Sequence, residues 1–243
     1  MKTTFIGLLT IALLAASCKT SDIKISGDLA GNSIPLQVKG NGGILINQKI
    51  SFGEFHTAAV KRGITNRFEY NLFGISKEKA FQPVEFTLYG PAGMSADIVG
   101  SNNYNNNMFA LFKGLQTYAD NFTNGFFGVI IPNDKKSPVW QVLIENDNSR
   151  TALKSQTDDG VAMDENGNQI DIYGTKTLSN KNFLTDDTRT FGFELFKKGK
   201  SIGAVSVVGN GKVWIDKNLT AADQLAVASL ATILITKQNL GKQ

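Results

Sequence analysis

The chain contains one cysteine, Cys18, and one histidine, His56, among its 243 residues. A single cysteine excludes an internal disulfide, so burial of apolar side chains must stabilise the fold. One histidine cannot supply a zinc site built from several Cys and His ligands, and any Ser-His-Asp or Cys-His catalytic site would need His56 itself. We interpret His56 as a surface or structural residue.

Sequence motifs that carry common chemistry are also missing. The chain has no Gly-x-Ser-x-Gly nucleophile motif, no Walker phosphate loop and no Gly-x-Gly-x-x-Gly of dinucleotide folds. We therefore predict no catalytic residue, no metal ligand and no cofactor, and we expect that the protein is not an enzyme.

Charge of one sign is not concentrated anywhere in the chain. The formal net charge is only +4, and the basic residues are spread along the sequence. A basic patch or stripe is the usual mark of a nucleic-acid-binding domain. We therefore expect no nucleic-acid partner.

The N-terminal residues have the layout of a secretory signal peptide. Met1 and Lys2 give a positive start, an apolar stretch runs from Phe5 to Ala16, and the small residues Ala15 to Ser17 lie at its end. The apolar stretch is shorter than the roughly 20 residues that a membrane-spanning helix needs. Residues 1–17 are therefore predicted to be a signal peptide.

The residues before Cys18, "LLAAS", resemble the lipobox of bacterial lipoproteins, in which Leu and small residues precede a cysteine. Leu14 stands one place further from the cysteine than in the usual motif. The resemblance implies cleavage between Ser17 and Cys18 and lipid attachment at Cys18. Each methylene of the acyl chains that is buried in the bilayer adds about 0.8 kcal/mol to the free energy of membrane binding. The alternative is an ordinary signal peptide with an incidental cysteine.

The lipoprotein resemblance also implies a location in the bacterial cell envelope. In proteobacterial sorting, an aspartate directly after the lipidated cysteine favours the inner membrane, whereas this chain has Lys19. The outer membrane is therefore the preferred expectation, with the membrane reached through lipidated Cys18. A protein or glycan of the envelope is the expected further partner.

The sequence after Cys18 predicts a tether followed by one β-rich domain. Residues 18–32 are polar and contain glycine, and we assign them to the lipidated N-terminus and tether. Residues 33–243 contain segments in which apolar and polar residues alternate, separated by Gly- and Asn-rich turns such as Asn166-Gly167 and Asn210-Gly211. This pattern is typical of antiparallel hairpins.

Two segments predict helices instead. Apolar residues recur three or four apart near residues 108–122, from Met108 to Phe122. The segment Ala221 to Ile235 is apolar on nearly every side, which is typical of a buried helix. The predicted fold class is α+β and β-rich, with an antiparallel sheet closed into a barrel around the C-terminal helix.

An antiparallel meander followed by "WIDKNLTAADQLAVASLATILI" resembles the end of tubby-like and LURP-one-related barrels. The resemblance covers roughly residues 165–237 and lies in element order, with no diagnostic motif. It implies a closed barrel threaded by an apolar C-terminal helix after a short Asp-containing loop. No residue matches a phosphoinositide-binding motif, so that property of some tubby-like proteins is not carried over.

Three further stretches could carry a site. "DENGNQID" (164–171) places Asp164, Asn166 and Asn168 as in a calcium loop, but it lacks the Gly and Glu which that loop requires, so a hairpin turn is predicted. "LTDDTRTF" contains the neighbouring carboxylates Asp186 and Asp187, which could act as the acid and base of a glycosidase, but carboxylates so close in sequence usually belong to a solvated loop, which is the preferred interpretation. "SNNYNNNMF" (101–109) offers Asn and Tyr for recognition, but a connecting loop is the preferred interpretation.

Three functions remain open after these considerations. The first is a membrane-anchored envelope lipoprotein with a non-enzymatic binding or structural β domain. The second is a carrier or sensor of a small apolar ligand in the barrel interior, which fails if the C-terminal helix fills that interior. The third and weakest is a glycan-active hydrolase.

Overall fold

The computed structural model describes residues 22–42, 47–63, 82–102, 111–119, 125–145, 159–179 and 190–240. Within these ranges the strands are β1 (Leu36–Gln37), β2 (Ser51–Phe52), β3 (Phe55–Thr57), β4 (Lys61–Arg62), β5 (Gln82–Tyr89), β6 (Ser95–Asn102), β7 (Gly125–Pro132), β8 (Trp140–Glu145), β9 (Asp159–Asp164), β10 (Gln169–Thr175), β11 (Gly192–Lys197), β12 (Lys200–Ser206) and β13 (Lys212–Ile215). The α-helices there are α1 (Gly27–Asn32), α2 (Lys113–Ala119) and α3 (Ala221–Leu240), and Pro91–Gly93 form a 3-10 turn.

The strands form one antiparallel sheet that is nearly closed into a barrel. From β5 to β13 each strand pairs with the next strand in sequence, which is an up-and-down meander. β13 also pairs with β1, and β5 pairs with both β3 and β4. The predicted fold class, a β-rich antiparallel barrel around a C-terminal helix, is therefore confirmed.

Two backbone hydrogen bonds join the edges of the sheet. The Lys39 N–H donates to the Ser51 carbonyl at 2.8 Å, and the Ser51 N–H donates to the Lys39 carbonyl at 3.1 Å. Lys39 follows β1 and Ser51 begins β2, the first and last strands of the sheet order. Among the described residues, this bridge links the edges of the barrel wall.

Inward-facing side chains follow the period of two that the sequence predicts for a strand. In β5, Val84, Phe86 and Leu88 are buried in the barrel, whereas Glu85 and Thr87 are partly exposed. β7 and β8 lack this alternation because both of their faces are covered. Their outer face packs against Leu115 of α2, so that the strands read as continuous apolar runs.

Tight turns connect the strands at one end of the barrel. The turn from β11 to β12 uses Lys198 and Gly199 with φ of +53° and +76°, the left-handed conformations that the commonest two-residue hairpin turns require. Gly167, in the turn from β9 to β10, also has a positive φ, of +81°. The hairpins predicted at Asn166-Gly167 and, at the opposite end of the barrel, at Asn210-Gly211 are confirmed.

We name the two ends of the barrel the turn end and the Asp22 end. The turn end carries the connections β2–β3, β5–β6, β7–β8, β9–β10 and β11–β12 and the start of α3. The Asp22 end is opposite and includes Thr175, Gly192, Ser206 and Lys212. Asp22 forms a salt bridge with Lys212 there.

α3 fills the barrel along its axis. It begins at the turn end, where the Thr220 hydroxyl accepts a hydrogen bond from the Asp223 N–H at 3.2 Å and so caps the helix. Every residue from Leu225 to Lys237 is buried, and the helix packs against β6, β7, β12 and β13. An apolar surface on all sides of a helix requires such a surrounding, because no side can face water.

The helix expected near residues 108–122 is present but begins later, because Leu111 and Phe112 are not helical. α2 spans Lys113–Ala119, and Leu115 and Ala119 are buried as their spacing predicts. Leu111 and Phe112 precede the helix and pack on the same cluster. Residues 103–110 and 120–124 lie outside the described residues. Residues 66–75, in which alternating Phe68, Tyr70 and Leu72 predict a strand, also lie outside them.

Candidate functional site

The predicted cleavage residue Ser17 and the predicted lipid attachment residue Cys18 lie outside the described residues. Asp22, four positions after Cys18, is the first described residue. The segment Asp22–Asn32, which we call the strap, leads from this point onto the barrel. Its contacts decide how Cys18 is connected to the domain.

The start of the strap is fixed to the Asp22 end of the barrel by backbone and side-chain bonds. The Asp22 carboxylate pairs with the Lys212 ammonium. The Ser179 N–H donates to the Asp22 carbonyl at 2.7 Å, and the Lys24 N–H donates to the Thr177 carbonyl at 3.0 Å. The strap therefore begins as a short antiparallel addition beside residues 177–179.

The middle of the strap contacts the outer face of β11 and β12. One Glu194 oxygen, Oε1, accepts hydrogen bonds from the Ser26 N–H at 3.0 Å and from the Ser201 hydroxyl at 2.5 Å. Leu29 of α1 is fully buried in a cluster with Ala204 and Trp214. Much of the segment that the sequence assigns to a tether thus packs on the domain.

The end of the strap reaches the turn end of the barrel. The Asn32 carbonyl accepts a hydrogen bond from the Lys217 N–H at 3.1 Å, beside the loop that leads into α3. The strap therefore runs along the outside of the barrel from the Asp22 end to the turn end. Ile23, Ile25 and Leu29, its only large apolar residues, give a weak signal for this packing in the sequence.

The barrel interior is the second place where a ligand could bind. Side chains of α3, including Val227, Leu230 and Ile233, are completely buried in the same core as the inward-facing residues of the wall. The Thr232 and Thr236 hydroxyls donate to carbonyls one turn earlier, at 2.9 and 2.8 Å, so their polar groups are satisfied within the helix. This packing leaves the helix itself as the occupant of the interior.

His56 lies on the outer face of β3 and is exposed. Its ring stacks on Tyr89, with ring centroids 5.3 Å apart. Among the residues that the structure describes, no three His, Cys, Asp or Glu side chains come together as a metal site requires. His56 thus has the surface location that the sequence favours.

The "DENGNQID" stretch forms the turn between β9 and β10, as predicted. Asp164 is almost completely buried, and its carboxylate accepts hydrogen bonds from the Asn166 N–H at 2.9 Å, the Asn168 N–H at 2.7 Å and the Asn168 side-chain amide at 2.7 Å. A carboxylate satisfied by its own turn stabilises a tight hairpin. The turn interpretation is confirmed.

The two other candidate stretches are described only in part. Asp186, Asp187 and Arg189 lie outside the described residues. In "SNNYNNNMF", Ser101 and Asn102 belong to β6, and residues 103–109 lie outside the described residues. The hypotheses attached to both stretches stay predictions.

Two ion pairs at the turn end are visible only in the tertiary structure. Lys197 contacts Asp223 at 2.6 Å, at the first turn of α3, and Lys200 contacts Asp216 at 2.7 Å. The hydrogen bond from Lys200 lowers the pKa of the buried Asp216 carboxyl. These pairs hold the loop and the start of α3 against the barrel, which is a structural role.

An exposed aromatic surface lies on the outside of β10. Tyr173 and Tyr118 are 50% and 42% exposed, and the negative charge of Asp171 raises the pKa of Tyr173. Gln169 donates to Tyr118 Oη at 3.0 Å. Alternation in "QIDIYG" places Gln169, Asp171 and Tyr173 on one face of β10. The sequence does not show that α2 leaves the tyrosine on this face exposed to solvent.

None of the helices in the described part of the chain is both long and apolar enough to cross a membrane.

Comparison of the chain with protein-family models, with curated proteins and with solved structures gave no match.

Proposed function

We propose that the protein is a membrane-anchored lipoprotein of the bacterial cell envelope, with lipid on Cys18 and a non-enzymatic β domain that binds a partner or supports an assembly. The observation that carries the proposal is the lipobox-like sequence before the single cysteine. The short distance in sequence from Cys18 to the packed strap supports it, because a lipid there would hold the whole barrel. We propose the outer membrane as the location, because the residue after Cys18 is Lys19 and not an aspartate.

The packing of α3 favours a scaffold or binding domain over a carrier of apolar ligands. A carrier needs an interior that a ligand can occupy, whereas the buried face of this barrel contacts its own helix from Leu225 to Lys237. A protein or glycan partner would therefore bind the outer surface. The exposed tyrosines Tyr118 and Tyr173 are suited to such contacts, since aromatic side chains stack on sugars and pack in protein interfaces.

We also propose a relationship to the tubby-like barrels. The supporting observation is the order of elements: the meander β11 to β13, a loop in which Asp216 is buried, and α3 along the barrel axis. α1 and α2 are additions that the resemblance does not imply. The proposed relationship concerns the fold and carries no ligand.

Metabolic labelling with radioactive palmitate tests the anchor. We expect the wild-type chain to be labelled and Cys18→Ala to be unlabelled. The matched control is Cys18→Ala combined with Ser21→Cys, which keeps one cysteine but moves it three places, and it should also be unlabelled. Equal labelling of the wild type and Cys18→Ala would contradict the proposal.

A further inference from the structure

The strap limits how far the barrel can lie from a lipid on Cys18. Three residues separate Cys18 from Asp22, so their Cα atoms are at most roughly 14 Å apart even in a fully extended chain. Asp22 itself is fixed by its bond from Ser179 and its pair with Lys212. The attachment point is therefore close to one end of the barrel.

The other end is much further away. β5, β6 and β7 are each eight residues long, which corresponds to roughly 26 Å along a strand and about 20 Å along the axis of a barrel with the usual strand tilt. The turn end can therefore approach the bilayer closely only if the barrel lies on its side.

Charge favours the Asp22 end over the side that carries the strap. Lys24 and Lys39 are exposed at this end, and Lys176 lies directly before Thr177, to which the strap is bonded. Outside the Asp22–Lys212 pair, these three lysines face two described carboxylates at this end, Glu145 and Asp159. The outward face of α1 presents Asp28 and small residues. Lysines near a bilayer are attracted to anionic lipid head groups, whereas an aspartate is repelled.

We propose that the Asp22 end of the barrel faces and contacts the lipid head groups of the bilayer that holds Cys18, kept there by the short connection, while the turn end points away. This inference rests on the lipid attachment proposed above. In this orientation the Asp22 end contacts the lipid surface, and the turn end and the outer wall are accessible to other partners.

Energy transfer from labelled lipoprotein to acceptor-labelled lipid head groups tests this orientation. The lipidated full chain has no free thiol once Cys18 is acylated, so a cysteine can be introduced for one fluorescent label. Thr177→Cys and Asn210→Cys report on the Asp22 end, and Glu54→Cys and Lys136→Cys, also at exposed turn positions, report on the turn end. Vesicles contain anionic and zwitterionic phospholipid.

We expect transfer at least twofold higher from both labels at the Asp22 end than from both labels at the turn end. Insertion of a Gly/Ser linker of about 20 residues between Thr20 and Ser21 should remove most of this difference, since the end is then free to leave the surface. Equal transfer from the two ends, higher transfer from the turn end, or a difference unchanged by the linker would overturn the inference.

Flotation of the same samples separates the two proposals. Protein that floats with the vesicles but shows equal transfer from both ends contradicts only the orientation. Protein that does not float, and in which Cys18 itself accepts the thiol label, contradicts the lipid anchor and the orientation together.

Discussion

Replacing Gly203 by alanine should destabilise the contact between the barrel wall and the helix inside it. A Cβ atom on Gly203 of β12 would lie 2.5 Å from Val227 Cγ1 of α3 and 3.2 Å from the Trp214 carbonyl oxygen. Carbon atoms in favourable contact are roughly 3.5–4.0 Å apart, so the helix or the strand must shift. Overpacking of this kind costs about 1–3 kcal/mol.

Thermal unfolding followed by circular dichroism measures this cost. For a domain of this size, 1 kcal/mol corresponds to roughly 2–4 °C in Tm, so Gly203→Ala should lower Tm by about 2–12 °C. Val227→Ala removes the clashing methyl group and should by itself cost about 2 kcal/mol through the lost burial. In the double variant the new methyl group occupies the vacated space.

The coupling between the two substitutions is the decisive quantity. We expect Gly203→Ala with Val227→Ala to be less destabilised than the sum of the single variants by about 1–2 kcal/mol. Gly31→Ala is the matched control, since a Cβ there meets no atom within 4 Å, and its Tm should not fall. Additive effects of the two substitutions would refute the packing of α3 against β12 at this point.

Two further outcomes follow from the strap and the turn end. Because Leu29 is fully buried, Leu29→Ala should destabilise the protein by about 2–5 kcal/mol and increase hydrogen exchange in the strap. The control Ile34→Ala, at a side chain that is 66% exposed, should change Tm little, and equal effects of the two substitutions would contradict the strap packing. The lowered pKa of Asp216 means that its pair with Lys200 stabilises the fold above the ordinary carboxyl pKa of 3.8 and is lost as the pH falls through the lowered value. Asp216→Asn should therefore lower Tm at neutral pH and reduce the loss of Tm on acidification, and an unchanged pH profile would contradict this role.

Much of the barrel could be predicted from the sequence because its signals are local. The alternation of Val84, Phe86 and Leu88 and the turn at Asn166-Gly167 are properties of short segments, and the structure confirms the strands and hairpins that they predict. The sequence pattern that predicts a strand is weaker in β6, because this strand contains Gly100. A Cβ at that position would lie 2.3 Å from the Phe126 ring, so the residue is explained only by its neighbour in β7.

The strap shows why the candidate site could be predicted only in part. The lipobox-like residues before Cys18 are consecutive, so the lipid attachment could be proposed from the sequence and stays a prediction. The polar composition of residues 18–32 predicts a tether. The packing of the strap could not be predicted, because the sequence does not show that Leu29 contacts Trp214 or that Glu194 accepts a hydrogen bond from Ser26. Those contacts join residues more than 160 positions apart.

The sequence by itself determined the β-rich class, the tight turns, the buried C-terminal helix and the solitary cysteine after a signal-like segment, because each depends on residues close together in the chain. Only the tertiary structure decided that Lys39 and Ser51 join the edges of the sheet and that the strap binds the outside of β11 and β12. These features depend on pairings between distant segments, whose partners are selected by the shape and burial of the completed fold.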